Sequence, residues 1–164
     1  MKKISWILAV LLLCAFFVFA LGSGESGTAD QGEGKADKQV ADNELGDYSV
    51  TIDSCRLAKD YEGKDVVIVK YTFTNIGNDT PTAFTFAFDD NVFQNGVGLN
   101  ESYFVDENDG YNSDNQLKEI KKGASLEVEI AYELDDPTTD IEVEVQELFS
   151  FSDKTIKKTF KIAD

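Results

Sequence analysis

Between Tyr48 and Ile162, apolar and polar side chains repeatedly alternate with a period of two. Tyr48, Val50 and Ile52 alternate with Ser49, Thr51 and Asp53, and Val67, Val69, Tyr71 and Phe73 with Ile68, Lys70, Thr72 and Thr74. The rhythm returns in Phe84, Phe86 and Phe88, then in Leu126, Val128, Ile130, Tyr132 and Leu134 against Glu127, Glu129, Ala131 and Glu133. Ile141, Val143 and Val145 follow it, and so do Ile156, Phe160 and Ile162. Successive side chains of a strand point to opposite faces, so the pattern predicts six strands with one dry and one wet face. Such strands belong to antiparallel sheets, because strands of a parallel sheet are buried on both sides and read as unbroken apolar runs.

Turn formers punctuate these runs at Tyr61-Glu62-Gly63-Lys64, Asn75-Ile76-Gly77-Asn78, Lys121-Lys122-Gly123 and Asp135-Asp136-Pro137. A seventh strand is expected near Leu117–Ile120. The register of the third strand is strongly specified. A slip by one residue would expose Phe84, Phe86 and Phe88 together, at about 1.5–3 kcal/mol each. The expected fold is an all-β, antiparallel immunoglobulin-like sandwich of about seven strands, with little helix. A small closed barrel is the alternative.

Upstream the pattern changes. Met1-Lys2-Lys3 is a basic start, and Ile4 to Leu21 is an apolar run interrupted only by Ser5. Residues 1–22 therefore read as a signal peptide or signal anchor. Cleavage after Gly22 would leave Ala20 at the −3 position, and cleavage after Ala20 would leave Val18 there. Cys14, preceded by Leu11-Leu12-Leu13, is the candidate lipidation site. Leu13 stands where a small residue is usual, and seven hydrophobic residues follow the cysteine, so its other reading is a small apolar residue within the run. Residues 23–46 lack aromatic side chains and are rich in Gly, Ser, Asp and Glu, which predicts a flexible acidic linker. Residues 47–164 then form the sandwich domain.

Charge and composition narrow the function. With 31 acidic against 15 basic residues the formal net charge is −16, so phosphate backbones and anionic lipids are disfavoured partners. No nucleic-acid partner is expected, and the membrane is expected to be met only through the N-terminal segment. The chain holds no histidine, which removes the most frequent general base and transition-metal ligand. Cys55 is the one cysteine downstream of the apolar run, and the sandwich holds no tryptophan, so the disulfide and core tryptophan of antibody domains have no counterpart. A small, buried structural residue is the expected role for Cys55, since no second thiol or histidine stands ready to make it reactive.

Oxygen ligands cluster from Asp106 to Asn115, and Asp106, Asn108, Asp109 and Asp114 are the calcium candidates. The spacing departs from an EF-hand loop, because with Gly110 as sixth residue Val105 falls on the first ligand position. Phe88-Asp89-Asp90-Asn91 and Asp135-Asp136 read as further acidic turns. Tyr61, Tyr103 and Tyr111 are candidate stacking platforms for a glycan. Glu127, Glu129, Glu142 and Glu144 alternate with core positions and read as a wet coat rather than as a hydrolase pair. No catalytic residue and no cofactor are expected.

RLAKDYEGKDVVIVKYTFTN (Arg56–Asn75), FQNGV (Phe93–Val97), KEIKKGASLEVEIAYELDD (Lys118–Asp136) and VEVQELFSFSD (Val143–Asp153) resemble a group of uncharacterised Gram-positive surface proteins sharing a domain of unknown function. The likeness extends to telokin-like and immunoglobulin-like extracellular domains behind lipoprotein signals. It implies export and a sandwich fold, and it carries over no site residues. Members often place a lipobox cysteine directly before the tether, where this chain has Phe19-Ala20-Leu21-Gly22-Ser23. The expected function is that of a non-enzymatic, exported cell-surface or secreted module of protein or ligand contacts, its partner an extracellular protein or glycan. A solute-, glycan- or calcium-binding protein is the alternative, and a carboxylate-dependent hydrolase comes last.

Overall fold

Two four-stranded sheets face each other across a shared interior in the computed structural model, which describes residues 42–103, 105 and 110–162. Sheet one holds β1 (Glu44–Leu45), β2 (Tyr48–Lys59), β3 (Asp65–Asn75) and β6 (Ser125–Glu133), in the order β1-β2-β3-β6. Sheet two holds β4 (Phe88–Gln94), β5 (Val97–Gly98), β7 (Ile141–Glu147) and β8 (Thr155–Phe160), in the order β5-β4-β7-β8. All neighbouring strands are antiparallel. With β2, β3 and β6 as strands A, B and E, and β5, β4, β7 and β8 as C′, C, F and G, the strand order is that of an immunoglobulin-like sandwich.

The alternating positions meet in the middle as the pattern requires. Val67, Val69, Tyr71 and Phe73 of β3 and Val128, Ile130 and Tyr132 of β6 pack on Ile141, Val143 and Val145 of β7. Tyr48, Tyr71, Phe73, Phe84 and Phe88 form an aromatic cluster in this core, their ring centroids 5.1–6.0 Å apart in tilted and edge-on pairs. Burying each such ring contributes about 2–3 kcal/mol.

Four expectations need correction. Phe84–Ala87 is a one-turn helix, α1, rather than a strand; Phe84 and Ala87 are buried while Phe86 turns outward. The stretch near Leu117 is a 3₁₀ turn, Ser113–Leu117, and Ile120 makes only a single bridge to Thr82. The folded part begins before Asp47, because Leu45 of β1 is buried against the core. Finally, sheet one is not wet throughout its outer face. The connection from β5 to β6 crosses that face, and Val105 and Tyr111 cover Ala58, Val66, Ile68 and Ala131 in a second small apolar cluster. Residues 1–41, with the predicted signal segment, Cys14 and most of the linker, lie outside the described residues.

Candidate functional site

Phe88, Asp90, Val92 and Gln94 share the inward face of β4, so this strand sends two polar side chains toward the interior. Asp90 Oδ2 accepts a hydrogen bond from the Tyr71 hydroxyl at 3.3 Å and another from the Tyr132 hydroxyl. The carboxylate comes from sheet two and both phenols from sheet one. Burial pushes the Asp90 carboxyl up to about 6; the Tyr132 hydrogen bond opposes the rise and the Glu101 charge adds to it. Burial likewise holds both phenols well above their ordinary values. Glu101 pairs with Tyr132 in an isolated bridge and accepts from the Tyr103 hydroxyl at 2.7 Å. The cluster can hold a proton and fix the spacing of the sheets.

Gln94, almost wholly enclosed, is a clamp. Its Nε2 donates to the Asp136 and Thr139 carbonyls at 2.9 and 2.8 Å, and its Oε1 accepts from the Asp135 and Asp136 amides. Asp136 in turn caps Thr138 and Thr139, and those bonds hold its carboxyl well below the usual range. The Asp135-Asp136 turn is thus fixed from within.

The outer face of sheet two has a different character. Phe93, Glu142, Glu144 and Thr159 line a groove of about 380 Å³, closed at one end by the Asn95-Gly96 turn and Asp140. Asn95 and Gly96 have φ of 51° and 77°, the backbone that a tight two-residue hairpin demands. Glu144 is held by Lys157, which lowers its carboxyl, while Glu142 and Asp89 are exposed. This face joins a half-buried aromatic ring to several carboxylates.

One end of the sandwich exposes large apolar side chains. Phe149 is 90% exposed and Phe151 fully so, both in the β7–β8 loop. Phe149 has φ of 63°, a conformation that a bulky L-residue adopts only when its surroundings impose it. Leu148 N donates to Ala87 O at 2.9 Å, tying this loop to α1, whose Phe86 is 67% exposed. Thr85 Oγ1 donates to Gln116 O at 3.4 Å, bringing in the 3₁₀ turn and Leu117, 65% exposed. The β3–α1 connection beneath them is anchored by Asn75, which is buried and caps Asn78 N. A Cβ at Gly77 would lie 2.3 Å from Asp47 Oδ1, so a side chain there would displace the Asp47 carboxylate.

The opposite end holds a pocket of about 410 Å³ lined by Asp60, Tyr61, Glu62, Lys64 and Glu133. Tyr61 and Tyr103 are exposed there and elsewhere on the surface, whereas Tyr111 is half-buried, its phenol pushed up to about 12 by burial. Asp60 accepts from the Glu62 and Lys64 amides at 2.8 Å each and shapes the β2–β3 turn. Cys55 is half-buried against the core, and burial raises its thiol while Lys158 lowers it. Of the calcium candidates, Asp106, Asn108 and Asp109 lie outside the described residues. Asp114 is exposed at the start of the 3₁₀ turn, its amide bound to Asn112 Oδ1. Among the described residues no three His, Cys, Asp or Glu side chains gather as a metal site would need.

Sequence reasoning missed Asp90 and Gln94 as inward groups, having placed Phe88–Asn91 in an acidic turn. The available signal was Phe88 and Val92 spaced four apart. It also missed the Phe149–Phe151 tip, where two aromatics flank a serine with no core neighbour in the pattern.

Residues 24–147 match the family described as domain of unknown function (DUF5067). No curated protein matches the chain. Among solved structures, a candidate lipoprotein from Staphylococcus aureus superposes with a TM-score of 0.55 at 20% identity, covering 71% of this chain and 84% of that one. A candidate lipoprotein from Bacillus subtilis superposes with a TM-score of 0.53 at 16% identity, covering 73% of this chain and 38% of that one. At such identities the likeness is one of fold.

Proposed function

Because the chain belongs to the DUF5067 family, whose description carries no activity, we propose a role read from its surfaces: a non-enzymatic, exported module that binds a cationic protein partner. The carrying observation is the outer face of sheet two, where Glu142 stands exposed beside a groove lined by Phe93 and Asp89 is exposed further along β4. On sheet one, by contrast, Val105 and Tyr111 cover part of the outer face. An aromatic ring supplies contact area, and the surrounding carboxylates steer and orient a basic partner. The apolar N-terminal run and the lipoprotein descriptions of both structural neighbours support export.

Capture from envelope extract by the immobilised full chain tests this reading. The wild type retains a discrete, saturable partner at low salt and releases it as salt rises. A D89K/E142K chain does not retain it. Equal capture by both chains would remove sheet two as the contact face.

A second reading, a solute or glycan site, is favoured by the exposed Tyr61 ring in the 410 Å³ pocket beside Asp60, Glu62, Lys64 and Glu133. Sugar faces stack on such rings, and the flanking charged groups bind hydroxyls. Changes in Tyr61 fluorescence or NMR shifts on titration with oligosaccharides test it, with Tyr61→Ala as control.

A further inference from the structure

The apolar end of the sandwich is also the end at which the chain enters the fold. Glu44, Leu45 and Gly46 line a groove of about 330 Å³ together with Ser150, Ser152 and Lys154 of the β7–β8 loop. Phe149 and Phe151 project from that same loop, with Phe86 on the adjoining α1 and Leu117 on the turn next to it. Along the sequence, the residues before Asp42 lead back through a Gly/Ser-rich stretch to the apolar run Ile4–Leu21. A Gly-rich sequence of the length between Gly22 and Asp42 would, at coil dimensions, reach on the order of 25 Å. Were the apolar run held in a bilayer, this end of the domain would be kept within about its own width of the lipid surface.

We infer that the Phe149–Phe151 tip, with Phe86 and Leu117, is a lipid-contacting surface that seats the domain on the bilayer to which its own N-terminal run is tied. Exposed phenylalanines gain by entering the boundary between headgroups and acyl chains. A soluble partner is not needed to explain their exposure. The acidic surface opposes deep or electrostatic adsorption, so the occupant is a zwitterionic lipid surface met by a shallow apolar contact. Held by the short tether, such a contact forms at high effective concentration despite its small area. The Phe149 ring stands 90% exposed on a backbone with φ of 63°. The inference rests on the export reading above and on the anchor reading of the N-terminal run, and it leaves the outer face of sheet two free for a partner.

The test uses the full chain with Trp6→Phe, reconstituted with phosphatidylcholine vesicles containing lipids spin-labelled near the headgroup. A single tryptophan is placed by Phe151→Trp in one sample and by Tyr61→Trp, at the opposite end, in another. Both positions are exposed, so neither substitution disturbs the core. The expected result is flotation with the vesicles, a blue shift and at least twofold quenching at position 151, and unquenched emission at position 61. Flotation with position 151 unquenched, or with both positions quenched alike, overturns the seating while leaving anchoring intact. Absence of flotation overturns both.

Discussion

Asp90 on β4 and Tyr132 on β6 share a hydrogen bond across the interior, joining the two sheets through a carboxylate and a phenol rather than through a disulfide. Tyr71 supplies a second donor to the same oxygen. The arrangement satisfies the acid but leaves its charge poorly solvated.

That imbalance gives a pH dependence. Asp90 ionises at about 6 in the fold against 3.8 in the open chain, so the folded state binds more protons between those values. Its contribution to stability therefore rises as pH falls from about 6 towards 4, and the penalty is complete above about 7. Asp90→Asn keeps an acceptor for the phenols without the charge. It is expected to be more stable than wild type by about 1–2 kcal/mol at pH 7.5, with the gap gone by pH 4. Urea denaturation at the two pH values measures this, and a gap independent of pH contradicts it.

Gln94→Ala removes four hydrogen bonds that hold the β6–β7 connection and leaves buried amide and carbonyl groups without partners. A loss of about 2–4 kcal/mol is expected. Gln94→Glu also destabilises, because a carboxylate cannot donate to the Asp136 and Thr139 carbonyls. Chemical denaturation of the two variants reads the effect, and a neutral Gln94→Glu would show that donation is not what matters.

Phe149→Gly makes the opposite prediction. The ring is exposed and the backbone lies in the left-handed region, so glycine relieves strain while sacrificing little burial. A gain of about 0.5–1 kcal/mol is expected, read as a higher Tm.

Lys158 Nζ on β8 donates to the carbonyls of Ile52 and Asp53, both at 2.8 Å, at the bulge that interrupts β2. Its ammonium also holds down the thiol of Cys55. Lys158→Met is expected to cost about 1–2 kcal/mol by orphaning those carbonyls. It should also slow alkylation of Cys55 by iodoacetamide at pH 8, since the thiol then rises further. Native wild type is itself expected to react more slowly than unfolded chain, because burial raises the thiol.

Much of the architecture can be read from the period-two pattern, because β3, β6 and β7 each place an unbroken apolar row inward. Phe84–Phe88 shows where periodicity fails. Positions four apart fall on one side of both a strand and a helical turn, so Phe84 and Phe88 are buried either way and only Phe86 distinguishes the two. β4 was obscured for another reason: its inward row reads Phe-Asp-Val-Gln, and outward Phe93 breaks the contrast. The groove on sheet two and the apolar tip arise from residues distant in sequence, brought together by pairing of β4 with β7 and by the Leu148–Ala87 bond. No local pattern encodes such meetings.

The crossing of the β5–β6 connection over sheet one has a consequence for assembly. A sandwich with two bare faces can stack on copies of itself without end, each unit offering its back to the next. Here Val105 and Tyr111 occupy part of one back, so close stacking of a second sheet over Ala58, Val66, Ile68 and Ala131 is blocked.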